Sequence, residues 1–301
     1  MMSAGEPTRG RACAWCGAPL GAASKRIHGR IECSACGAAT TDPWPTDDDL
    51  ADAYSRYRPA GGRFSGFGDA LLRRTRGALA KRIDALAPPG RVLDVGAGDG
   101  SLLDALAARG RESLGLEPRP TRPDVIDADI ADLDGDWAAT VFWHSLEHLR
   151  TPGRALDAAA ARLAPGGVLV VAVPNGESLQ ARAFGDRWLA LDLPRHLVHL
   201  PASTLLEGLR ARGFSVERVS HWRGGQVAFG WLHGLVGLLP GHPHLYDSIR
   251  RPEARSGPVS RGRRASTLAA AAMLTPVAAL ASALEVAVRR GGSVYVEARR
   301  G

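Results

Sequence analysis

Several features are scarce in this sequence. Residues 1–11 are polar and contain no apolar run, which argues against a secretory leader. A cytoplasmic, reducing setting is the expectation that follows, with peripheral contact to a membrane left open. In that setting the four cysteines, all before residue 37, are not expected to form two disulfides. No segment is an unambiguous membrane span, and no repeat recurs at a solenoid period. Aromatics make up only 6% of the chain, and few of them fall among the cysteines. A surface built to stack bases is therefore not indicated, and nucleic acid is disfavoured as a partner.

What is present suffices for a packed domain. The chain has 301 residues, 45% of them hydrophobic, enough for one large domain and a small accessory one. Lysine and arginine total 38 against 31 acids, a net charge of +7, with a denser arginine cluster over residues 250–264. Such an excess keeps a surface soluble, or draws an anionic partner such as phosphate, nucleic acid or a membrane surface.

Residues 41–50, rich in proline and aspartate, read as a boundary. A polar stretch with Tyr54 and Tyr57 follows and ends in Gly61-Gly62. Residues 69–87 have helical periodicity, with Leu71, Leu72, Leu79, Ile83 and Leu86 on one face. From residue 91 strands and helices alternate. Strands are expected over residues 91–95, 112–116, 124–128, 139–143, 168–173, 214–219 and 293–298. Helices are expected over 101–109, from Thr151-Pro152 to 163, and from a capping box of Thr204 with Glu207 to Gly213. This alternation predicts an α/β fold, a doubly wound and mostly parallel seven-stranded sheet, with its ligand site at the strand C-termini.

The central motif is Val92-Leu93-Asp94-Val95-Gly96-Ala97-Gly98-Asp99-Gly100. Glycines let the backbone turn off a strand and approach a ligand closely, and the next helix points its N–H groups there. Glu117 ends the second strand at the spacing of an acid that binds ribose hydroxyls. Asp129 follows the third strand, where a side chain can face an adenine. The Gly-x-Gly-x-Gly spacing differs from the dinucleotide fingerprint, which argues against a nicotinamide cofactor. With FWHSLEHL, LAPGGVLVVAVPN and DLPRHLVHL, the chain resembles class I methyltransferases similar to the ubiquinone-biosynthesis O-methyltransferases. The resemblance is good over residues 88–223 and loose elsewhere. It implies a Rossmann-like methyltransferase fold binding S-adenosyl-L-methionine. Asp94, Gly96, Ala97 and Gly98 would surround its methionine part, Glu117 and Pro118 its ribose, and Asp129 and Ile130 its adenine, with His144 also beside it. Residues 118–123 leave almost no room for the helix this family usually has there.

Cys13-x2-Cys16 and Cys33-x2-Cys36 are each followed by glycine. Two such knuckles complete a tetrahedral four-thiolate site, expected to hold structural zinc, with iron the main alternative. Leading modules of this kind, in methyltransferases this chain resembles, often accompany action on sugars, polysaccharide precursors or other small metabolites.

Two candidate centres are placed to act on an acceptor. His144, Glu147 and His148, at i, i+3 and i+4, would share a helical face and hold a divalent metal. The matching family positions are Glu, Glu and His, so His144 is a departure that favours a softer metal than magnesium. The bland alternative is that Glu147 and His148 only hydrogen-bond the helix start. His196, in Asp192-Leu193-Pro194-Arg195-His196, is the first choice for a base that deprotonates an acceptor. Arg195 would hold an anionic acceptor or a carboxylate of the protein.

The expected organisation is a zinc-ribbon-like module at 1–45, linker and helix at 46–87, cofactor-binding core at 88–223, helical lid at 224–290 and a final strand at 291–301. The expected function is S-adenosylmethionine-dependent methylation, most readily on oxygen, of a small-molecule acceptor such as a sugar, polysaccharide precursor, quinone or secondary metabolite. The alternatives are a nucleic-acid methyltransferase gripping through the ribbon, or a non-catalytic cofactor-binding scaffold. Pro174-Asn175 lacks the Asn/Asp-Pro-Pro-aromatic motif of base amino-methylation, which weighs against the first. Residues 265–288 are long and apolar enough to span a membrane, but the chain must return to pair residues 294–296 with the sheet. The leading expectation is a pair of buried lid helices; the rival is a lid touching the membrane surface.

Overall fold

The computed structural model describes residues 12–21, 24–55, 67–222 and 225–301. Residues 1–11, Tyr57 and Gly61-Gly62 lie outside the described residues. The N-terminal part carries three short strands, β1 (Arg26–Ile27), β2 (Arg30–Glu32) and β3 (Ala39–Thr41), then helices α1 (Asp47–Ser55) and α2 (Phe67–Leu86). The alternating part runs β4 (Val92–Val95), α3 (Ser101–Ala107), β5 (Ser113–Leu116), β6 (Val125–Ile126), β7 (Trp137–Trp143), α4 (Pro152–Arg162), β8 (Leu163–Pro174), α5 (Leu179–Phe184), β9 (Val198–His199), α6 (Ala202–Ala211) and β10 (Phe214–Ser220). An excursion of α7 (Gly225–Gly237), α8 (Leu245–Ile249) and α9 (Arg261–Ala287) leads to β11 (Ser293–Arg300).

The large sheet has the order β10-β11-β8-β7-β4-β5-β6. The inner neighbours pair in parallel, whereas β11 is antiparallel to both β8 and β10. Period-two alternation on strands apolar on both faces makes two cores. Leu93, Val95, Phe142, Leu169 and Val171 face one way with Leu156 and Leu205. Val92, Val141, Val168 and Val170 face the other, against Leu79 and Ile83 of α2 and Leu102 and Leu106 of α3. Each large side chain so buried contributes about 1.5–3 kcal/mol. Leu71 and Leu72, expected on the same face of α2, are exposed, because α2 reaches the sheet only with its C-terminal half. No helix separates β5 from β6; Arg122 holds that loop by pairing with both Asp104 and Asp124.

A second sheet has the order β1-β2-β3-β9 and is antiparallel throughout. Its fourth strand comes from the core, 158 residues beyond the third as counted from Thr41 to His199. The cysteine region is therefore no bead on a string. Cys13, Trp15, Cys33 and Ala38 share one apolar cluster with Leu156, Leu205 and Leu209. Gly208 of α6 is a required glycine: a Cβ there would lie 2.3 Å from the Trp15 ring.

The capping box expected at Thr204 and Glu207 does not form. Helix α6 starts earlier, at Ala202, and the Thr204 hydroxyl donates to the Cys36 carbonyl at 2.6 Å. The first N–H groups are capped from elsewhere. Asn175 Oδ1 accepts from Ala202 N at 3.0 Å, and Glu177 Oε1 from Ser203 N at 3.2 Å.

Candidate active site and cysteine cluster

Strand β4 ends at the glycine loop, where Gly96, Gly98 and Gly100 take φ of 83°, 66° and 73°. Gly96 is doubly constrained, since a Cβ there would stand 2.3 Å from Ser145 Cβ. Gly98 N donates to Glu117 Oε2 at 3.0 Å, so the acid at the end of β5 is tied to the loop. Ala97 is buried against Gly115, and Pro118 lies in the exposed bend after β5. Asp129 caps a short 3-10 turn by accepting from Ala131 N at 2.8 Å, beside buried Ile130. Asp94 is 3% exposed, and its Oδ1 has no hydrogen-bond partner among the described residues. Burial pushes its carboxyl up to about 7, an effect offset by Arg76 and reinforced by Glu117 and Asp99. A cationic group of a ligand would complete this site. The amino-acid part of S-adenosylmethionine carries one, so the residues present fit that cofactor.

Ser145, against Gly96, leads directly into the second part of the site. His144 takes φ 55° as the chain leaves β7, and a 3-10 turn of Leu146–His148 follows. His144, Glu147 and His148 consequently do not line one face of an α-helix, as their spacing suggested. His144 Nδ1 lies 3.3 Å from Glu147 Oε1, and His196 Nε2 lies 3.9 Å from the same oxygen. The group close enough to hold a cation is Glu147, His148 and His196, with ligand atoms within 4.8 Å of one another; His144 is replaced by His196. The two centres proposed from sequence are one.

His196 is 7% exposed on the loop before β9. Its Nδ1–H donates to the Ala190 carbonyl at 2.8 Å, which leaves Nε2 as the basic nitrogen, 3.6 Å from Asp192 Oδ2. Burial lowers its pKa, against the opposing pull of Asp192. Burial also works against the Asp192 charge, yet His196 and Arg195 beside it hold that carboxyl below its ordinary range. Arg195 grips Asp192 through Nε and Nη2, so its partner is a carboxylate of the protein. His148 Nδ1 bonds the Arg195 carbonyl at 2.8 Å and faces Tyr54 Oη at 3.1 Å. Sequence reasoning gave no role to Asp192 or Tyr54. For Asp192 the signal was its i, i+4 spacing from His196; for Tyr54 it was the Tyr-x2-Tyr pair after the Pro-rich segment, part of the family resemblance but without an assigned role.

The cysteine region buttresses this loop. Thr41 Oγ1 donates to the His196 carbonyl at 2.5 Å and lies 3.3 Å from His199 Nε2, while Thr41 N donates to the Leu197 carbonyl. The His28-Gly29 turn packs on Gly185 and Leu193.

The four cysteines form one cluster, their sulfurs within 4.8 Å of one another. Cys13 and Cys36 Sγ are 3.7 Å apart, as are Cys16 and Cys33. That is too long for a disulfide and equals the edge, ~3.8 Å, of a tetrahedron of sulfurs around zinc. The two knuckles are built alike: Gly17 N donates to Cys13 O and Gly37 N to Cys33 O, both at 2.8 Å, with both glycines at φ 73°. Burial pushes the Cys13 thiol up to about 11. Several thiolates coexist here only with a cation among them.

The buried histidines make stability depend on pH. Burial, then the neighbouring His196, lowers His148 to about 3, and burial, then His244, lowers His233 to about 4; His199 falls well below its ordinary value through burial. Each stays neutral in the folded chain while it protonates in the unfolded chain near 6.5. Stability is therefore expected in full above pH 6.5 and to decline below it, until each folded value is passed. The slope per histidine is at most about 1.4 kcal/mol per pH unit. Urea midpoints at pH 7.5 and 5.5 check this, and His233→Gln should flatten the decline. The raised Asp94 carboxyl acts in the opposite sense below pH 7, so the His233→Gln comparison is decisive: an unchanged pH dependence in that variant would show this imidazole to be free to protonate.

Residues 71–219 match the sequence family described as "methyltransferase domain". No curated protein matches the chain. Among solved structures, the chain is similar to the cyclase SpnF at 21% identity, over 85% of this chain and 96% of that one, with a TM-score of 0.48. A SAM-dependent methyltransferase from Archaeoglobus fulgidus follows at 18% identity, over 75% and 94%, with a TM-score of 0.46. The mitomycin 7-O-methyltransferase MmcR matches at 16%, over 77% and 54%, with a TM-score of 0.43.

Proposed function

Given that the chain is a class I S-adenosylmethionine-dependent methyltransferase, we propose that it methylates an oxygen of a small-molecule acceptor, with His196 as the base. The observation that carries this reading is the His196 imidazole, neutral, fixed by Ala190 at Nδ1 and bare at Nε2 beside Asp192 and Glu147. The bound cofactor supplies an electrophilic methyl group for in-line displacement. The protein's own part is alignment and proton removal. Asp94 takes the cationic end of the methionine part, Glu117 the ribose hydroxyls and Asp129 the adenine edge. His196 Nε2 accepts the proton of the acceptor hydroxyl, and the Asp192 and Glu147 carboxylates stabilise the imidazolium that forms. The four cysteines hold a structural zinc ion, since four thiolates leave no open position for chemistry.

Incubation with methyl-labelled cofactor and a panel of hydroxylated sugars, quinones and phenols tests the reading. Label in an ether supports it; label only in amines or carbon, or in none of the panel, counts against it. A second reading rests on the Glu147, His148 and His196 group, which would orient the acceptor through a divalent cation. Loss of turnover on dialysis against a mild chelator, restored by a divalent metal with the cysteine site still loaded, would favour that reading.

Glu117→Ala is expected to weaken cofactor binding by about 1–3 kcal/mol, the cost of leaving ribose hydroxyls without their acceptor. Isothermal titration with S-adenosylmethionine and its demethylated product measures it. An unchanged titration would remove Glu117 from the ribose site.

A further inference from the structure

We propose that α9 docks the protein flat on an anionic lipid surface. The helix is inside out. The residues it buries against the rest of the protein are small or polar: Thr267, Ala271, Ala278, Ser282 and Glu285. Glu285 is 0% exposed and accepts from Gln180 N, Gln180 Nε2 and Trp231 Nε1. Of the large apolar residues, Leu274 packs inward on Val236 and Leu245, but most of the others point outward. Met273, Val277, Leu280, Leu284 and Val288, at intervals of four, three, four and four, make one exposed stripe, with Met273 81% and Leu280 73% exposed. The expectation that this segment forms buried lid helices is thereby corrected: only α7 is largely covered, and 22% of the apolar window of α9 is buried. A soluble helix shows the reverse polarity. An apolar stripe of this length on a monomer marks an interaction surface.

Charge selects the occupant. Between residues 265 and 288 the sole ionisable group is the buried Glu285. Exposed arginines stand at both ends, Arg261, Arg263 and Arg264 before the stripe and Arg289 and Arg290 after it. Apolar side chains between two sets of guanidinium groups match an acyl boundary edged by anionic headgroups. A second copy of the chain suits the stripe poorly, since both parallel and antiparallel pairing would bring arginines onto arginines. Trp222, 55% exposed, adjoins the same end as Arg289, because its neighbour His221 packs against Gly291. An indole at that position belongs at headgroup depth.

The topology excludes crossing. The helix is long and apolar enough to span, at about 40 Å from 27 residues. Yet β10 precedes the excursion and β11 follows it, and the two are paired at Ser220 and Tyr295. Both ends thus return to the same side. Helix α7, with 13 residues and about 20 Å, is too short to be the second span.

Flotation of the full chain with vesicles tests the proposal, independently of any methyl transfer. At low salt the protein should float with phosphatidylcholine–phosphatidylglycerol vesicles, remain below with phosphatidylcholine alone, and be released by high salt. The double variant Leu280→Asp, Leu284→Asp should partition at least about tenfold less, because carboxylates resist entry into the acyl region. Arg261→Gln with Arg289→Asn should abolish the preference for anionic vesicles. Cofactor binding and circular dichroism confirm that the variants fold. The proposal fails if the wild-type chain stays below with anionic vesicles at low salt, or if the double aspartate variant floats equally well. It also fails if sedimentation shows a dimer that those aspartates dissociate and no vesicle binding, which would identify a second copy as the occupant.

Discussion

Stripping the zinc proposed at the four cysteines is expected to cost the protein its turnover as well as stability. Zinc bound to such a site is worth about 10–16 kcal/mol in isolated finger peptides, so its loss should unfold the knuckles outright. Here the damage travels. Thr41 holds both the His196 carbonyl and the Leu197 carbonyl, and β3 is the pairing partner of β9. Without the knuckles β9 loses its pairing strand and is held only from the core side, through Leu197 N to the Glu147 carbonyl and Gly176 N to the Leu200 carbonyl, so the loop bearing His196 loses one wall. The glycine loop, bonded to Leu116 and Glu117, has no such dependence. Thermal melting, labelled-methyl turnover and titration with S-adenosylmethionine, each before and after chelation and for Cys33→Ser, separate the three effects. The expected pattern is a lower Tm, turnover near background and cofactor affinity largely kept. Unchanged turnover in verified metal-free protein would sink the idea that the cysteine region shapes the site.

His196→Ala should reduce kcat by about 10²–10⁴, the usual contribution of a positioned base, with cofactor affinity little changed. The imidazole touches neither the glycine loop nor Glu117, so binding and chemistry should separate in this variant. Because burial lowers the His196 pKa, the neutral, competent form should persist below pH 6.5. The acid limb of kcat/KM is then expected beneath that value for as long as the fold survives. Asp192→Asn is the companion: it keeps the shape but removes the carboxylate 3.6 Å from Nε2, and kcat should fall while KM holds. Equal turnover in His196→Ala would remove His196 both as the base and as a ligand of a cation with Glu147 and His148.

Much of the geometry around the glycine loop was legible because its determinants are local. A strand, three glycines at left-handed φ and an acid at the next strand end are neighbours in sequence or in adjacent parallel strands. The cysteine knuckles were legible for the same reason. The cluster around His196 was not, because its contacts are distant. Nothing near Glu147 indicates that its second neighbour is His196 rather than a further residue of its own turn; the left-handed backbone at His144 decides that. The capping of α6 by Asn175 and Glu177 replaced a capping box that matched by spacing alone. For α9, composition gave length and hydrophobicity correctly, but the direction of the apolar face depends on what α7 offers. That helix presents Trp231 to Glu285, so the polar side of α9 turns inward.

The closure of the small sheet by β9 also fixes an order of events during synthesis. The knuckles leave the ribosome first, with both cysteine pairs available to a metal early. Their sheet cannot be completed until Val198 and His199 have emerged. Thr41 waits for a partner 155 residues downstream, roughly 10–30 s at ordinary elongation rates. During that interval a metal bound by the cysteines would help β1, β2 and β3 keep the knuckles compact, while apolar side chains such as Trp15 lack their final cover. A nascent chain made under zinc starvation would present that exposed segment to proteases and chaperones for the whole interval.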